Sequence, residues 1–205
     1  MMNSNKNVFI SGDKSLSLSL QMYAAFYPRF YLLESTLKNR LFNLLKRKLG
    51  EDWFTKQLNN PQIDPLFSQE QQYINMRKPK GFLLKDTGLL VESGMGFWVE
   101  FFNRRLYKVT KGLPISIFEN LPKDIKRRDI YLKLDRVKNL RNFLFHSRIP
   151  AITKSADLKI LDDIINIAKD LENLLEWLGN LPPDLTSSGE IIEKASLIRK
   201  HIKPS

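Results

Sequence analysis

The chain has 205 residues, 42% hydrophobic and 11% aromatic, enough for one proper core, so one domain, or one domain with insertions, is expected. There is no cysteine and there are two histidines, which excludes a disulfide framework and a thiolate metal site and makes zinc a poor candidate. Thirty-three Lys and Arg against 22 Asp and Glu leave a charge of +11; such an excess attracts polyanions, nucleic acid above all, although a solvated basic face is the plainer explanation.

Residues 1–14 are polar, lack a signal peptide's apolar core and read as a loose arm. No apolar run approaches the ~20 residues needed to cross a bilayer, so a cytoplasmic protein with no membrane partner is expected. A helix is predicted to begin near Ser15 or Ser17. Pro28 falls within its pattern and predicts a kink, or a second helix with proline in its first turn. Phe30, Leu33, Leu37, Leu41, Leu44 and Leu45 then mark a stripe running to Leu49, with Gly50 placed as a C-cap.

Residues 51–58 read as a short helix and 59–65 as a loop. Residues 68–77 read as a short polar helix, and 82–91 lean helical. Ser93-Gly94-Met95-Gly96 opens the next helix, expected to run to residue 107. Phe97, Trp98, Phe101 and Phe102 recur along it at helical spacing and are read as core rather than as a base-stacking surface. Residues 108–122 read as a linker, with a short turn at 115–121.

A long helix is expected over 122–148, stopped by Pro150. Ile130, Leu134, Val137, Leu140 and Leu144 line one face, and Asp135, Lys138, Asn139, Asn142 and His146 line the other. Arg141 falls at the border of the apolar face. Between Lys123 and Arg148 lie nine basic and three acidic residues, so this segment holds +6 of the +11. Ser155 or Asp157 is placed to cap a helix to Trp177 or Leu178, with Leu158, Leu161, Ile165, Ala168, Leu171, Leu174, Leu175 and Leu178 inward and Gly179 at its end. Pro182-Pro183 blocks extension, and residues 189–201 offer a last amphipathic helix. The fold class is all-α: a helical bundle with short helices inserted, and residues 180–205 as a C-terminal extension.

Arg141-Asn142-Phe143-Leu144-Phe145-His146 resembles the R-N-x-x-x-H signature of HEPN domains. Arg127-Arg128-Asp129-Ile130-Tyr131 before it, and Ile149-Pro150 after it, resemble the Abi-like (abortive infection) branch of that superfamily. So do Gly50-Glu51-Asp52-Trp53-Phe54, Gly96-Phe97-Trp98, and a stretch of the form L-E-x-x-L-R-N-R, with Glu34, Lys38, Asn39 and Arg40, where Lys38 stands for the usual Arg. The resemblance covers most of residues 18–150. It implies an up-and-down bundle, generally dimeric with a composite site, and an endoribonuclease that halts growth as a toxin or in anti-phage defence.

The residue types fit that chemistry. Histidine, with an unperturbed pKa of ~6.5, suits the base that takes the proton of a 2′-hydroxyl. Arginine, always charged, grips phosphate oxygens in a fork. Asn142 lies one turn before His146 and is placed to orient the imidazole or hold a substrate oxygen. The catalytic candidates are therefore Arg141, Asn142 and His146, with Arg127, Arg128, Lys138 and Arg148 as RNA-binding candidates. No metal or cofactor is expected.

Five residues put Arg141 and His146 roughly 140° apart around the helix axis, a separation that a second copy across a twofold axis would help to close. The chain departs from the family at Ser147, where a second histidine is common, and at Arg148, where an acid is common. A half-buried Arg141 wants a carboxylate; Glu34 is the expected partner, and that pair is compatible with a purely structural role. His146 is equally compatible with a helix-terminal histidine, and Asp135, near Arg136 and Lys138, with a solvated pairing. Two functions are thus open: a metal-independent endoribonuclease, or a non-catalytic bundle that binds RNA or scaffolds an antitoxin or nucleotidyltransferase.

Overall fold

A computed structural model of the chain describes residues 6–59, 67, 69, 72, 88, 90, 92–145, 152, 157–179 and 182–202. All regular structure among them is helical, as the absence of alternating apolar patterns requires. Among these residues no helix is long and apolar enough to cross a membrane. The chain divides into two compact units, one built from Met1–Leu33, Arg136–Glu176 and Asn180–Ser205, the other from Glu34–Asp135 and Trp177–Gly179.

In the first unit α1 spans Lys6–Ala24. It starts well before Ser15, and the arm expected over 1–14 is helical from Lys6. Its glycine and serines are weak helix formers, but propensity yields to tertiary packing, here against α9 (Gly189–His201). Ser15 and Ser19 are buried and satisfied: Ser15 Oγ donates to Ile152 O (2.5 Å), and Ser19 Oγ to Ser15 O (2.8 Å). Ala25 forms a turn, and α2 (Phe26–Leu49) begins directly after it. Pro28 therefore sits in a first turn, where its missing N–H has no intrahelical acceptor to lose. Arg29, almost wholly buried, is held by Ser187 O (2.7 Å) and Ala25 O (2.5 Å).

The C-terminal half of α6 (Arg127–Phe145) brings Val137, Leu140 and Leu144 to this core. Most of α7 (Leu158–Leu178) brings Leu161, Ile164, Ala168, Leu171, Leu174 and Leu175. Ile164, rather than the expected Ile165, is the buried isoleucine of that turn. Arg136 is tied to a neighbouring helix of this unit. Its Nε and Nη2 reach Asp170 Oδ2 on α7 at 2.8 and 2.6 Å, and Asp170 is buried. Pro183 does not merely block extension; it opens a one-turn helix, α8 (Pro183–Thr186). Helix α9 buries Ile191, Ala195 and Ile198.

The second unit takes the rest of α2, with Leu37, Leu41, Phe42, Leu44 and Leu45 inward. Gly50 ends that helix at φ +119°, donating to Lys46 O at 2.9 Å. Helix α3 (Trp53–Asn59) follows, and residues 67, 69, 72, 88, 90 and 92 are helical. The rest of the segments expected as loop and helix over 60–91 lies outside the described residues. Trp53, Phe54, Phe67, Phe97, Trp98 and Phe101 interlock, mostly edge to face, as a buried aromatic cluster. Such aromatics are core, as their spacing implies; each contributes on the order of 2 kcal/mol by burial.

The single helix expected over 94–107 is broken. It runs as α4 (Met95–Val99), a 3-10 turn (Glu100–Phe102) and α5 (Arg104–Val109). The break is Asn103, extended at φ −66°, ψ 147°, whose side chain accepts from Arg105 N; a local cap outcompetes continuation of the helix. The expected linker over 108–122 is packed, with Pro114, Ile117 and Phe118 buried around a 3-10 turn at Leu113–Ile117. Helix α6 starts at Arg127 rather than 122. Asp129 reaches back to accept from Lys126 N at 2.9 Å, satisfying the N–H of the residue that precedes the helix.

Candidate functional site

The last described turns of α6 hold the best-defined candidate. Leu140 and Leu144 are buried in the first unit, which fixes the rotation of the helix. It leaves Arg141 half-buried at the border and Phe145 half-exposed one turn later. This i, i+4 pair is in contact: the Arg141 guanidinium lies over the Phe145 ring, 4.4 Å from its centroid. Arg141 Nη1 donates to Asn142 Oδ1 at 3.2 Å, and Nε is buried. On its other flank Phe145 meets Tyr27 of α2, centroids 4.9 Å apart and planes inclined by 55°. Arg141 is thus a positioned cation on an aromatic base, with the Asn142 amide beside it. Such a fork is pre-organised for an oxyanion.

His146, Ser147 and Arg148 lie outside the described residues, as does Pro150. Of the three catalytic candidates, Arg141 and Asn142 are brought together. Lys138 is half-buried one turn before them.

In the second unit, Glu34 Oε1 accepts from Lys38 Nζ at 2.9 Å, both side chains largely buried. Arg127 is engaged by protein: Nη1 donates to Phe102 O at 2.5 Å, and the guanidinium stands 5.8 Å from the Tyr107 ring. Burial pushes the Tyr107 phenol up in pKa, against the opposing pull of the Arg127 charge. Arg128 is exposed.

Arg40, the last residue of the L-E-x-x-L-R-N-R-like stretch, has a structural task. Its Nη1 donates to Leu178 O (2.5 Å), Ile117 O (3.1 Å) and Glu119 Oε1 (3.0 Å), and Nη2 to Gly179 O (3.1 Å). It closes the C-terminus of α7, where a cation also meets the negative end of the helix dipole.

Sequence reasoning missed the aromatic surroundings of Arg141. Tyr27 and Tyr31 fall off the apolar stripe of α2, and that displacement was the available signal. The meeting of Tyr27 with Phe145 was not readable, because nothing local links the two helices.

Among the described residues no group of three or more His, Asp or Glu is placed to hold a metal ion. Comparison with family models, with curated proteins and with solved structures finds no match.

Proposed function

We propose that the chain is a metal-independent endoribonuclease of the HEPN, Abi-like type. The observation that supports it is the Arg141–Asn142–Phe145 arrangement at the end of α6: a fixed guanidinium, braced by a ring, in the turn that leads into His146. His146 takes the 2′-hydroxyl proton, and O2′ attacks the adjacent phosphorus. Arg141 steadies the phosphorane, and the bond to O5′ breaks as that oxygen is protonated. The products are a 2′,3′-cyclic phosphate and a 5′-hydroxyl. In a dimer, His146 of the second copy is the candidate acid, which answers the loss of the second histidine at Ser147. Exposed Arg128, with Lys138 and Arg148, adds attraction for the RNA backbone. The biological setting of this reading is a cytoplasmic toxin or anti-phage defence protein.

A second reading, an RNA-binding bundle without cleavage that can scaffold an antitoxin or nucleotidyltransferase, is favoured by one observation. Arg141 already has a place in the fold, on Phe145 and Asn142. The two part on cleavage of total RNA and tRNA in EDTA, with circular dichroism confirming that each variant folds. Cleavage that survives the chelator and is lost in folded Arg141→Ala and His146→Ala supports the nuclease. Salt-sensitive binding with no cleavage supports the second reading, and cleavage unchanged in both variants refutes the site.

A further inference from the structure

The aromatic residues of the first unit divide sharply. Tyr23, Phe26 and Phe30 are at most 1% exposed, whereas Tyr27 is 40%, Phe145 47% and Tyr31 76% exposed. The division follows the helix. Phe26 and Phe30 share one face of α2 and stack on each other at 5.2 Å. Tyr27 and Tyr31, also i and i+4, share the adjoining face. Tyr27 touches Phe145, and Phe145 carries the Arg141 guanidinium. Tyr31 and Tyr27 one turn apart on α2, Phe145 against Tyr27, and Arg141 on Phe145 thus gather on the surface of one compact unit, while Phe143, 38% exposed, lies on another side of α6. Core packing does not require them there, and large exposed apolar groups gathered in one place mark a contact surface.

We infer that Tyr31, Tyr27 and Phe145, with the Arg141 guanidinium, form a stacking platform for unpaired RNA bases. The inference rests on the RNA-directed reading above and deepens it. A base offers a flat π-face for tyrosine and phenylalanine, and its phosphate offers an anion for the Arg141 guanidinium. Lys138 lies on the α6 face that carries Phe145, two turns earlier, and extends the positive side of the surface. In a duplex the bases are stacked on one another and are not available to the rings. A surface built from aromatics beside a cation, in a chain of charge +11, matches a strand that is both aromatic and anionic.

The test uses a 2′-O-methyl oligoribonucleotide, which lacks the attacking hydroxyl, as a labelled single strand and annealed to its complement. Binding is read by fluorescence anisotropy over a range of salt. Tyr31 is the residue to change, because its exposure leaves the fold intact. Tyr31→Ala is expected to weaken single-strand binding about tenfold, leave duplex binding unchanged, and keep the salt slope, since no phosphate contact is lost. Tyr31→Phe is expected to bind like the parent. Equal binding of Tyr31→Ala and parent, or an equal loss for both RNA forms, overturns the platform. So does a change of mass in sedimentation velocity for Tyr31→Ala, which would make the surface a contact between copies of the chain. The outcomes separate from those of the site itself. Chelator-resistant cleavage that depends on Arg141 but not on Tyr31 overturns the platform alone. Single-strand preference without cleavage upholds the platform on the RNA-binding reading.

Discussion

Replacing Arg40 by alanine removes the cation that closes α7, and its cost can be worked from the contacts. Nη1 has two hydrogens for its three acceptors, so that nitrogen and the Nη2–Gly179 bond together supply about three bonds at a time. Two of these go to carbonyls of buried Leu178 and Gly179. At about 1.5 kcal/mol each, the low end for bonds to a charged group, they amount to about 3 kcal/mol. Glu119 is half exposed, and its pairing adds no more than about 0.5 kcal/mol. All three tryptophans, Trp53, Trp98 and Trp177, belong to the second unit, so urea unfolding followed by tryptophan fluorescence reports where Arg40 acts. Arg40→Ala is expected to lose about 3 kcal/mol there. Arg40→Lys should recover less than half, because an ammonium cannot spread donors over separate carbonyls. A loss under about 0.5 kcal/mol for Arg40→Ala would refute the reasoning, and would mean that water serves the α7 carbonyls as well as arginine does.

Two further outcomes follow from single positions. Gly179 stands at φ +71°, and a Cβ there would meet Asn120 Nδ2 at 3.0 Å; Gly179→Ala should cost about 1–2 kcal/mol by the same fluorescence measurement. Combined with Arg40→Ala it should be less than additive, because Arg40 binds the Gly179 carbonyl. Tyr23 is buried, and burial first, then the Asp157 carboxylate, pushes its phenol well above the ordinary value. The folded state then keeps this proton to higher pH than the unfolded chain does. The contribution is complete below about pH 10 and is lost above it at up to about 1.4 kcal/mol per pH unit. Urea unfolding by circular dichroism between pH 9 and 11 should fall more steeply for the parent than for Tyr23→Phe; equal slopes would show that the phenol is not held protonated.

The long helices were legible because their apolar positions recur for several turns. The stripes through Leu33–Leu45, Ile130–Leu144 and Leu161–Leu178 each predict a helix, and Gly50 and Gly179 predict their ends. The failures lie where one local bond decides. Asn103 divides an aromatic stripe that periodicity reads as continuous, and Asp129 marks the start of α6 at Arg127, later than the expected 122. The helical run from Lys6 was hidden because its residues are poor formers held by distant partners. Within the candidate site, the border position of Arg141 was readable from the helical angle. Its seat on Phe145, and Tyr27 behind that ring, required knowing which helices meet. Arg136 is the same case: nothing local in the sequence points to its bond with buried Asp170 on α7.

The packing of α1 against α9 has a consequence for how the chain is made. Helix α1 ends at Ala24 and α9 begins at Gly189, so everything between them must be synthesised before the two can meet. At roughly 5–20 residues per second that is on the order of ten seconds or more. For that time α1 is present on the ribosome with a helix it packs against still unmade, while the second unit, built mainly from the intervening chain, has already emerged. The first unit is therefore the last to close, and its unpaired helix is the part of the nascent chain most in need of a chaperone.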